Sequence, residues 1–204
     1  MTIHLEHQAM LIVLSSPSGG GKSSICRALL VSGPNLEYSI SMTSRPPRGD
    51  EANGRAYHFV TVEEFERRIE QGHFYEWALV HDNYYGTPRD YADEKLARGK
   101  DVVLDLDVVG GLNLKKATNR AVLVFILPPS FEVLEDRLRG RKTDSEAEIQ
   151  KRLRNARMEL DFAPQYDYMV VNNDLDQTIT IIRGIVDAER HSSRRQIIQM
   201  TAED

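Results

Sequence analysis

A glycine-rich segment near the amino terminus constrains the fold of this chain more than any other feature. The segment reads Ser16-Pro17-Ser18-Gly19-Gly20-Gly21-Lys22-Ser23, and it follows the β-favouring apolar run 10–14. Glycines let a backbone curl until its N–H groups face inward, and a helix that begins at the loop adds the partial positive charge of its amino terminus. A strand, such a loop and a helix form the setting of a phosphate-binding P-loop. The chain is therefore predicted to bind the phosphates of a nucleoside triphosphate.

Two side chains and one irregularity refine this prediction. Lys22 supplies a mobile positive charge for the outer phosphates, and the Ser23 hydroxyl is placed to ligate Mg²⁺. The usual pattern, G-x-x-x-x-G-K-[ST], begins with glycine, whereas this chain has Ser16; a positive φ there would cost about 1 kcal/mol. The alternative is a glycine turn that caps a helix, and the Gly-Lys-Ser ending disfavours it. A dinucleotide-binding G-x-G-x-x-G is excluded because its third glycine would fall on Ser24.

Apolar runs alternate with helical patterns along the remaining chain. Further buried strands are predicted at 102–104, 121–127 and 168–171, and helices near 22–31, 109–118, 130–139, 144–160 and 175–200. Alternation of this kind predicts an α/β fold, in which helices cover a parallel sheet on both sides. Residues 1–8 are expected to be loose and solvated, since metal binding by His4 and His7 lacks a second pair of ligands.

Two segments interrupt this alternation. The stretch 39–87 is rich in Tyr, Arg and Gly and has short alternating runs, which indicate an inserted, mostly β subdomain. Within it, Thr61 and Glu64 are predicted to form a capping box at the start of a helix. The second stretch, 137–157, is rich in Arg. One domain is predicted, with a core formed by 9–38, 88–136 and 158–204, an insertion at 39–87 and a helical, Arg-rich lid at 137–157.

Charge and composition narrow the function classes. The chain has 204 residues and a formal net charge of −5, which argues against a general nucleic-acid or anionic-membrane binder. No apolar run approaches the ~18 residues of a membrane helix, and the amino terminus lacks the layout of a signal peptide. The single cysteine, Cys26, excludes an intrachain disulfide. A reducing, cytoplasmic setting is expected.

Several separated motifs give the chain a more specific resemblance. In order they are the loop 17–23, Thr43-Ser44-Arg45-Pro46-Pro47-Arg48, Asn53-Gly54-Arg55-Ala56-Tyr57-His58-Phe59, Glu76-Trp77-Ala78, Asn83-Tyr84-Tyr85-Gly86-Thr87 and Asp105-Leu106-Asp107. With this ordered set, which runs from about Leu11 to Ala188, the chain resembles the guanylate kinases, the enzymes that convert GMP to GDP with ATP. A P-loop alone is shared by many families, whereas the ordered set is highly specific. The resemblance implies a P-loop NTPase core, ATP bound by residues 16–24, and Mg²⁺ as the cofactor.

The resemblance also implies a GMP site. Its implied contacts are Ser41, Arg45, Arg48, Tyr57, Glu76, Tyr85, Thr87, Asp105 and Asp107. Arginine and tyrosine suit a phosphate, because they make charge-assisted or directed hydrogen bonds to its oxygens. A carboxylate suits guanine, because it accepts from N1–H and the exocyclic amine together, a pair that AMP lacks. The Thr87 hydroxyl has an alternative use as a helix N-cap before Pro88.

Two acids follow a predicted buried strand, at the edge where ligands gather in open parallel sheets. By resemblance Asp105 and Asp107 lie at GMP, and Asp107 also reaches Mg²⁺ through a water; the alternative is a pair of acids in a turn. The family often has glutamine where this chain has Val109. Asn172, after the last predicted strand, matches a family position near the adenine of ATP, and it suits a turn or cap equally well.

The Arg-rich lid is the third part of the implied site. Arginines that reach in from a lid neutralise the charge of a phosphoryl group in transfer. The catalytic residues implied by the resemblance are Lys22, Arg45, Arg137, Arg141 and Arg152. The other lid arginines are expected to be solvated or paired with nearby acids. Lys142 stands where the family usually has glycine.

The resemblance implies transfer of the γ-phosphoryl group of MgATP to GMP, with ADP and GDP as products. A contrasting class is the guanylate-kinase-like modules of scaffold proteins, which bind phosphorylated peptides and carry damaged phosphate loops; the intact Lys22 and Ser23 disfavour it. A kinase for another nucleotide is disfavoured by Glu76 together with Asp107. The sequence leaves open the oligomeric state and the acceptance of dGMP.

Overall fold

The computed structural model describes residues 2–33, 35–80, 82–140 and 145–201. The strands are β1 (Thr2–His7), β2 (Leu11–Ser15), β3 (Leu36–Tyr38), β4 (Met42–Thr43), β5 (His58–Phe59), β6 (Phe74–Val80), β7 (Asn83–Pro88), β8 (Asp101–Asp105), β9 (Ala121–Leu127), β10 (Tyr168–Val171) and β11 (Gln196–Thr201). The helices are α1 (Lys22–Ser32), α2 (Val62–Glu70), α3 (Arg89–Ala97), α4 (Val108–Ala117), α5 (Phe131–Arg139), α6 (Glu146–Leu160) and α7 (Leu175–Arg190). A short 3-10 turn spans Ala163–Gln165.

The central sheet has five parallel strands in the order β10-β9-β2-β8-β3. Alternate side chains of β2 enter two separate cores, because successive residues of a strand point to opposite faces. Leu11 and Val13 pack on the side of α3 and α4, whereas Ile12 and Leu14 pack on the side of α1 and α7. The predicted α/β fold, with helices on both faces of a parallel sheet, is confirmed.

A second sheet covers much of the stretch 42–88, in the order β5-β4-β7-β6. Its small core joins Met42 to Phe65 of α2 and Phe74 of β6, and the rings of the two phenylalanines stack at 4.4 Å. Thr61 caps α2 as predicted, since its hydroxyl accepts from the Glu64 N–H at 3.1 Å. The second hydrogen bond of the predicted capping box, from the Thr61 N–H to the Glu64 carboxylate, is absent among the described residues. That part of the prediction is wrong, because the Glu64 carboxylate pairs with Arg67 and Arg68 instead.

The two ends of the described chain pair with each other, which corrects two predictions. Residues 1–8 were expected to be solvated coil and 175–200 helix; instead α7 ends at Arg190, and β11 returns to form an antiparallel ribbon with β1. Arg195 fixes the turn between α7 and β11. Its buried guanidinium donates to Glu189 at 3.0 Å, and its carbonyl accepts from the Gln8 N–H at 2.7 Å.

The helices α5 and α6 pack together through Leu134, Leu138, Ile149 and Ala156. A complete capping box at Ser145 and Glu148 opens α6. Arg141, which the resemblance implies is catalytic, and Lys142, which replaces the usual glycine of the family, lie outside the described residues. In the described part of the chain no helix combines the length and the apolar character that a bilayer crossing requires.

Candidate active site

The glycine-rich loop runs from the end of β2 to the start of α1, at the carboxyl edge of the sheet. Gly19 and Gly21 both have φ of 93°, a backbone conformation that L side chains rarely adopt. Ser16 does not share it, because Asp82 is the only residue other than glycine with positive φ in the described ranges. The strain considered for Ser16 is therefore absent, and serine fits the first position of this loop.

Asn172 lies directly beneath the loop. Its side-chain amide donates to the Gly20 carbonyl at 2.9 Å and accepts from the Thr178 hydroxyl at 3.2 Å. A Cβ at Gly21 would stand 2.4 Å from the Asn172 amide nitrogen, so glycine is required there by space as well as by φ. Asn172 is only 6% exposed. Its side chain thus supports the loop, and the contact with adenine remains a prediction.

The loop lines a cavity of about 360 Å³ together with two carboxylates. The lining comprises all of residues 16–24, Asp107 and Glu159. Lys22 reaches from this cavity toward the end of β8, where its ammonium lies 2.7 Å from Asp105 and donates to the Leu106 carbonyl at 2.8 Å. A cavity edged by backbone N–H groups, a helix amino terminus and a lysine suits a chain of phosphates.

A second cavity, of about 240 Å³, lies between the two sheets. Its lining residues are Ser41, Tyr57, Glu76, Ala78, Val80, Tyr85, Gly86, Asp105, Leu106, Asp107 and Gly110. Asp107 lines both cavities, so ligands in the two would face each other across this residue. Sequence reasoning had named Ser41, Tyr57, Glu76, Tyr85, Asp105 and Asp107, and the structure brings all six together here.

Two carboxylates meet at one side of the second cavity. A Cβ at Gly110 would stand 3.1 Å from Glu76 Oε2 and 3.2 Å from Asp107 Oδ1, so glycine is what leaves them room. Asp107 caps α4 by accepting from the Gly110 N–H at 2.7 Å. Burial raises the pKa of Glu76, Asp107 adds to the increase, and the Thr87 hydroxyl opposes it by donating at 2.7 Å. The alternative role of Thr87 as a helix cap is wrong, because Pro88 occupies the N-cap of α3.

Arg45 lies beside this cavity and is 6% exposed. It makes a two-pronged ion pair with Glu51, at 2.9 and 3.1 Å, and this pair raises the pKa of Arg45. Its guanidinium also lies 5.4 Å from the centre of the Tyr57 ring. Tyr57 meets Tyr85 edge to face, with ring centres 5.9 Å apart. The side chain of Arg48 is exposed, and only its backbone N–H joins the cluster, by donating to Glu51 at 2.9 Å.

The sequence did not point to Glu51. This acid follows Arg48 by three residues in a turn, and that spacing is the one signal that could have found it.

Two of the predicted lid arginines approach the phosphate loop. Arg152 of α6 donates to the Ser18 hydroxyl at 2.8 Å. Arg137 of α5 donates through Nη2 to the Asn172 carbonyl at 3.2 Å, while its Nη1 is buried without a hydrogen-bond partner among the described residues. Arg139 instead pairs with Glu135 and Glu146, as expected for an arginine outside the site.

The described residues contain no cluster of three or more His, Cys, Asp or Glu side chains that could hold a metal by themselves. Hard oxygen donors are nevertheless present in the phosphate cavity, where Ser23 and Asp107 both line the wall. Such a donor pair suits a magnesium ion that is held chiefly by phosphates and water.

Comparisons with known proteins identify the family of this chain. The sequence model of the guanylate kinase family matches residues 8–189. The chain is 46% identical to a guanylate kinase from Caldanaerobacter subterraneus subsp. tengcongensis, over 91% of this chain and 90% of the relative. It is also 46% identical to one from Rickettsia felis, over 93% and 98%. Among solved structures, a guanylate kinase from Anaplasma phagocytophilum superposes with a TM-score of 0.76 at 33% identity, covering 95% of this chain and 92% of that one.

Proposed function

The chain belongs to the guanylate kinase family, and from that premise we propose how its residues carry out the family's reaction. It is an ATP:GMP phosphotransferase, which moves the γ-phosphoryl group of ATP to GMP and yields ADP and GDP. The observation that carries the proposal is the pair of adjoining cavities with Asp107 in the wall of both. One cavity suits a triphosphate, and the other suits a guanine nucleotide.

The donor phosphates bind in the glycine-rich loop. Backbone N–H groups of the loop and the amino terminus of α1 donate to the phosphate oxygens, and Lys22 leaves Asp105 to reach the outer phosphates. Ser23 and Asp107 are the residues that would hold Mg²⁺. When bound, the ion neutralises charge on the β- and γ-phosphates. Asn172 keeps the loop in shape by holding the Gly20 carbonyl.

GMP binds in the second cavity, with its phosphate toward Arg45 and its base toward Glu76. Tyr57, Tyr85 and Arg45 supply donors to the phosphate, and Arg48 joins them by turning its exposed side chain inward. Glu76 accepts from guanine N1–H and the exocyclic amine, with Asp107, Ser41 and Thr87 beside it. AMP would leave the buried Glu76 carboxylate unpaired, which makes its rejection strong.

Transfer needs positioning and charge more than acid–base chemistry. The attacking phosphate oxygen of GMP and the γ-phosphate face each other near Asp107, in the in-line arrangement that phosphoryl transfer requires. Arg137 and Arg152 reach in from α5 and α6 to neutralise the group in transfer, and Arg141 belongs to the same proposal. Closure of the insertion, 39–87, and the lid, 137–157, over the core excludes water.

A cytoplasmic location belongs to the proposal as well. Cys26 is the only cysteine and is a buried free thiol, so no intrachain disulfide can form, and a reducing compartment suits the chain.

The experiment that tests the function measures ADP release from MgATP with GMP, AMP, UMP or dTMP as the acceptor. We expect kcat/KM for GMP to exceed that for AMP by ~10⁴-fold, because AMP lacks the donors that the polar groups of this site require. The Glu76→Ala variant should lose most of its use of GMP while ATP still binds. Equal use of AMP and GMP would contradict the guanine site, and equal losses for both substrates would make Glu76 structural.

A further inference from the structure

Glu159 of α6 is a carboxylate in the wall of the phosphate cavity to which the proposed function gives no role. Its Oε2 atom is buried and has no hydrogen-bond partner among the described residues. A buried acceptor without a donor costs free energy, typically about 1–3 kcal/mol, so its presence calls for a ligand that supplies the donor.

The charges around Glu159 are those of a nucleotide site. Burial raises the pKa of this carboxyl, and Asp107 adds to the rise; the Ser18 N–H and the Lys22 ammonium lower the pKa but do not offset burial. An anionic side chain in this wall repels a bare triphosphate, because charges of like sign interact strongly where water is partly excluded. The same side chain repels a magnesium-bound triphosphate less, because the divalent cation offsets part of the negative charge.

The position of Glu159 is set by the packing of α6 on the loop. Arg152 lies seven residues earlier, two helical turns away and on the same face. It donates to the Ser18 hydroxyl at 2.8 Å, and Ser18 is also the residue whose N–H acts on Glu159. Two side chains of one helix face therefore meet the same loop residue.

We propose that Glu159 is a positioning residue that makes the phosphate cavity prefer the magnesium-bound triphosphate over the metal-free one. Its buried oxygen would accept a hydrogen bond from the hydrated ion. Mg²⁺ dehydrates reluctantly and keeps several waters at nucleotide sites, so such donors are at hand. The inference rests on the proposed function, since it assumes that this cavity holds the donor phosphates.

Calorimetric binding in the absence of GMP tests this without turnover. ATP is titrated into the wild type and into Glu159→Gln, once with excess Mg²⁺ and once with a chelator. We expect the variant to bind MgATP about tenfold more weakly, the effect of losing a charge-assisted hydrogen bond. Metal-free ATP should bind the variant as tightly as the wild type or more tightly, because a repulsive charge is gone.

The preference for MgATP, taken as the ratio of the two affinities on one preparation, does not depend on the fraction of protein that is folded. If Glu159→Gln weakened the binding of MgATP and of metal-free ATP equally, Glu159 would have a purely structural role and the proposal would be overturned. An unchanged affinity for both ligands would overturn it as well. Asp161→Asn is the matched control, because it removes the same charge from the exposed end of the same helix and should leave the ratio unchanged. If the wild type bound neither form, the proposed function itself would fail.

Discussion

At the scale of the residue, the Glu76 carboxylate shows how neighbours set the chemistry of one side chain. Burial and Asp107 raise its pKa, while the Thr87 hydroxyl holds it down. The carboxyl must be ionised to accept two hydrogen bonds from guanine. We therefore expect kcat/KM for GMP to reach its full value above the pKa of Glu76 and to fall as the pH drops through that pKa.

Thr87→Val tests this balance, and it keeps the β-branched shape that suits a fully buried position in β7. Without the hydroxyl the pKa of Glu76 rises further, so the acid limb of kcat/KM for GMP should move to higher pH. The loss of one hydrogen bond should also lower kcat/KM for GMP about fivefold at neutral pH. Thr87→Ser, which retains the hydroxyl, should restore both values, and the KM for ATP should not move. An unchanged acid limb in Thr87→Val would contradict the role given to the hydroxyl.

The sequence predicted most of the residues that line the two cavities, but it predicted neither Glu159 in the wall of the phosphate cavity nor Glu51, the partner of Arg45. The glycines, arginines and tyrosines were recognisable because their motifs are local. Glu51 and Glu159 are single acids in charged stretches, and the choice of partner for such an acid is made by the tertiary fold. The support that Asn172 gives to the loop escaped prediction for the same reason, because its partners Gly20 and Thr178 come from different elements.

At the scale of the element, a buried ion pair joins the end of α7 to the start of β8. Asp101 is fully buried, and it accepts from Arg190 at 2.7 Å and from the Met10 N–H at 2.9 Å. The link fixes α7 just before the turn that leads into the β1–β11 ribbon. That ribbon escaped prediction because its two strands come from opposite ends of the chain, so no local pattern pairs them.

Removal of the cation from this pair should be costly. We expect Arg190→Met to lower the free energy of unfolding by about 3 kcal/mol, because it leaves the buried Asp101 charge without its partner. Urea unfolding measures the change. The control, Arg98→Met, removes an exposed arginine that pairs loosely with Glu37 and Glu94, and it should cost no more than about 0.5 kcal/mol. A loss of the same small size in Arg190→Met would show that Asp101 does not depend on this ion pair.

At the scale of the whole molecule, the two cavities are built by different parts of the chain and share one wall at Asp107. The central sheet supplies the carboxyl ends of β2 and β8, the second sheet supplies Glu76 and Tyr85, and α6 brings Arg152 to the loop. This division was inferred from the change in pattern after residue 38, where buried runs give way to short alternating ones. In the proposed function, the acceptor binds between these parts, and the parts close over it.

Closure should make ATP turnover depend on the acceptor. We expect ADP release from MgATP without GMP to be at least ~100-fold slower than with it, because the catalytic arrangement forms and water leaves only when both sites are filled. A coupled assay with and without GMP measures the ratio. Comparable rates of ADP release with and without GMP would mean that closure of the insertion and the lid does not gate the reaction. The Lys22→Ala variant should abolish both rates, and it therefore separates turnover by this enzyme from a contaminating ATPase.

The buried thiol of Cys26 has a practical consequence for watching this movement. A thiol that is 4% exposed and has its pKa raised to about 12 reacts slowly with maleimides at neutral pH. Single cysteines introduced on the exposed faces of α2 and α6 could therefore be labelled with a donor and an acceptor dye in the otherwise unmodified chain. Energy transfer between the dyes would then report, in real time, how far the insertion and the lid approach each other as each nucleotide binds.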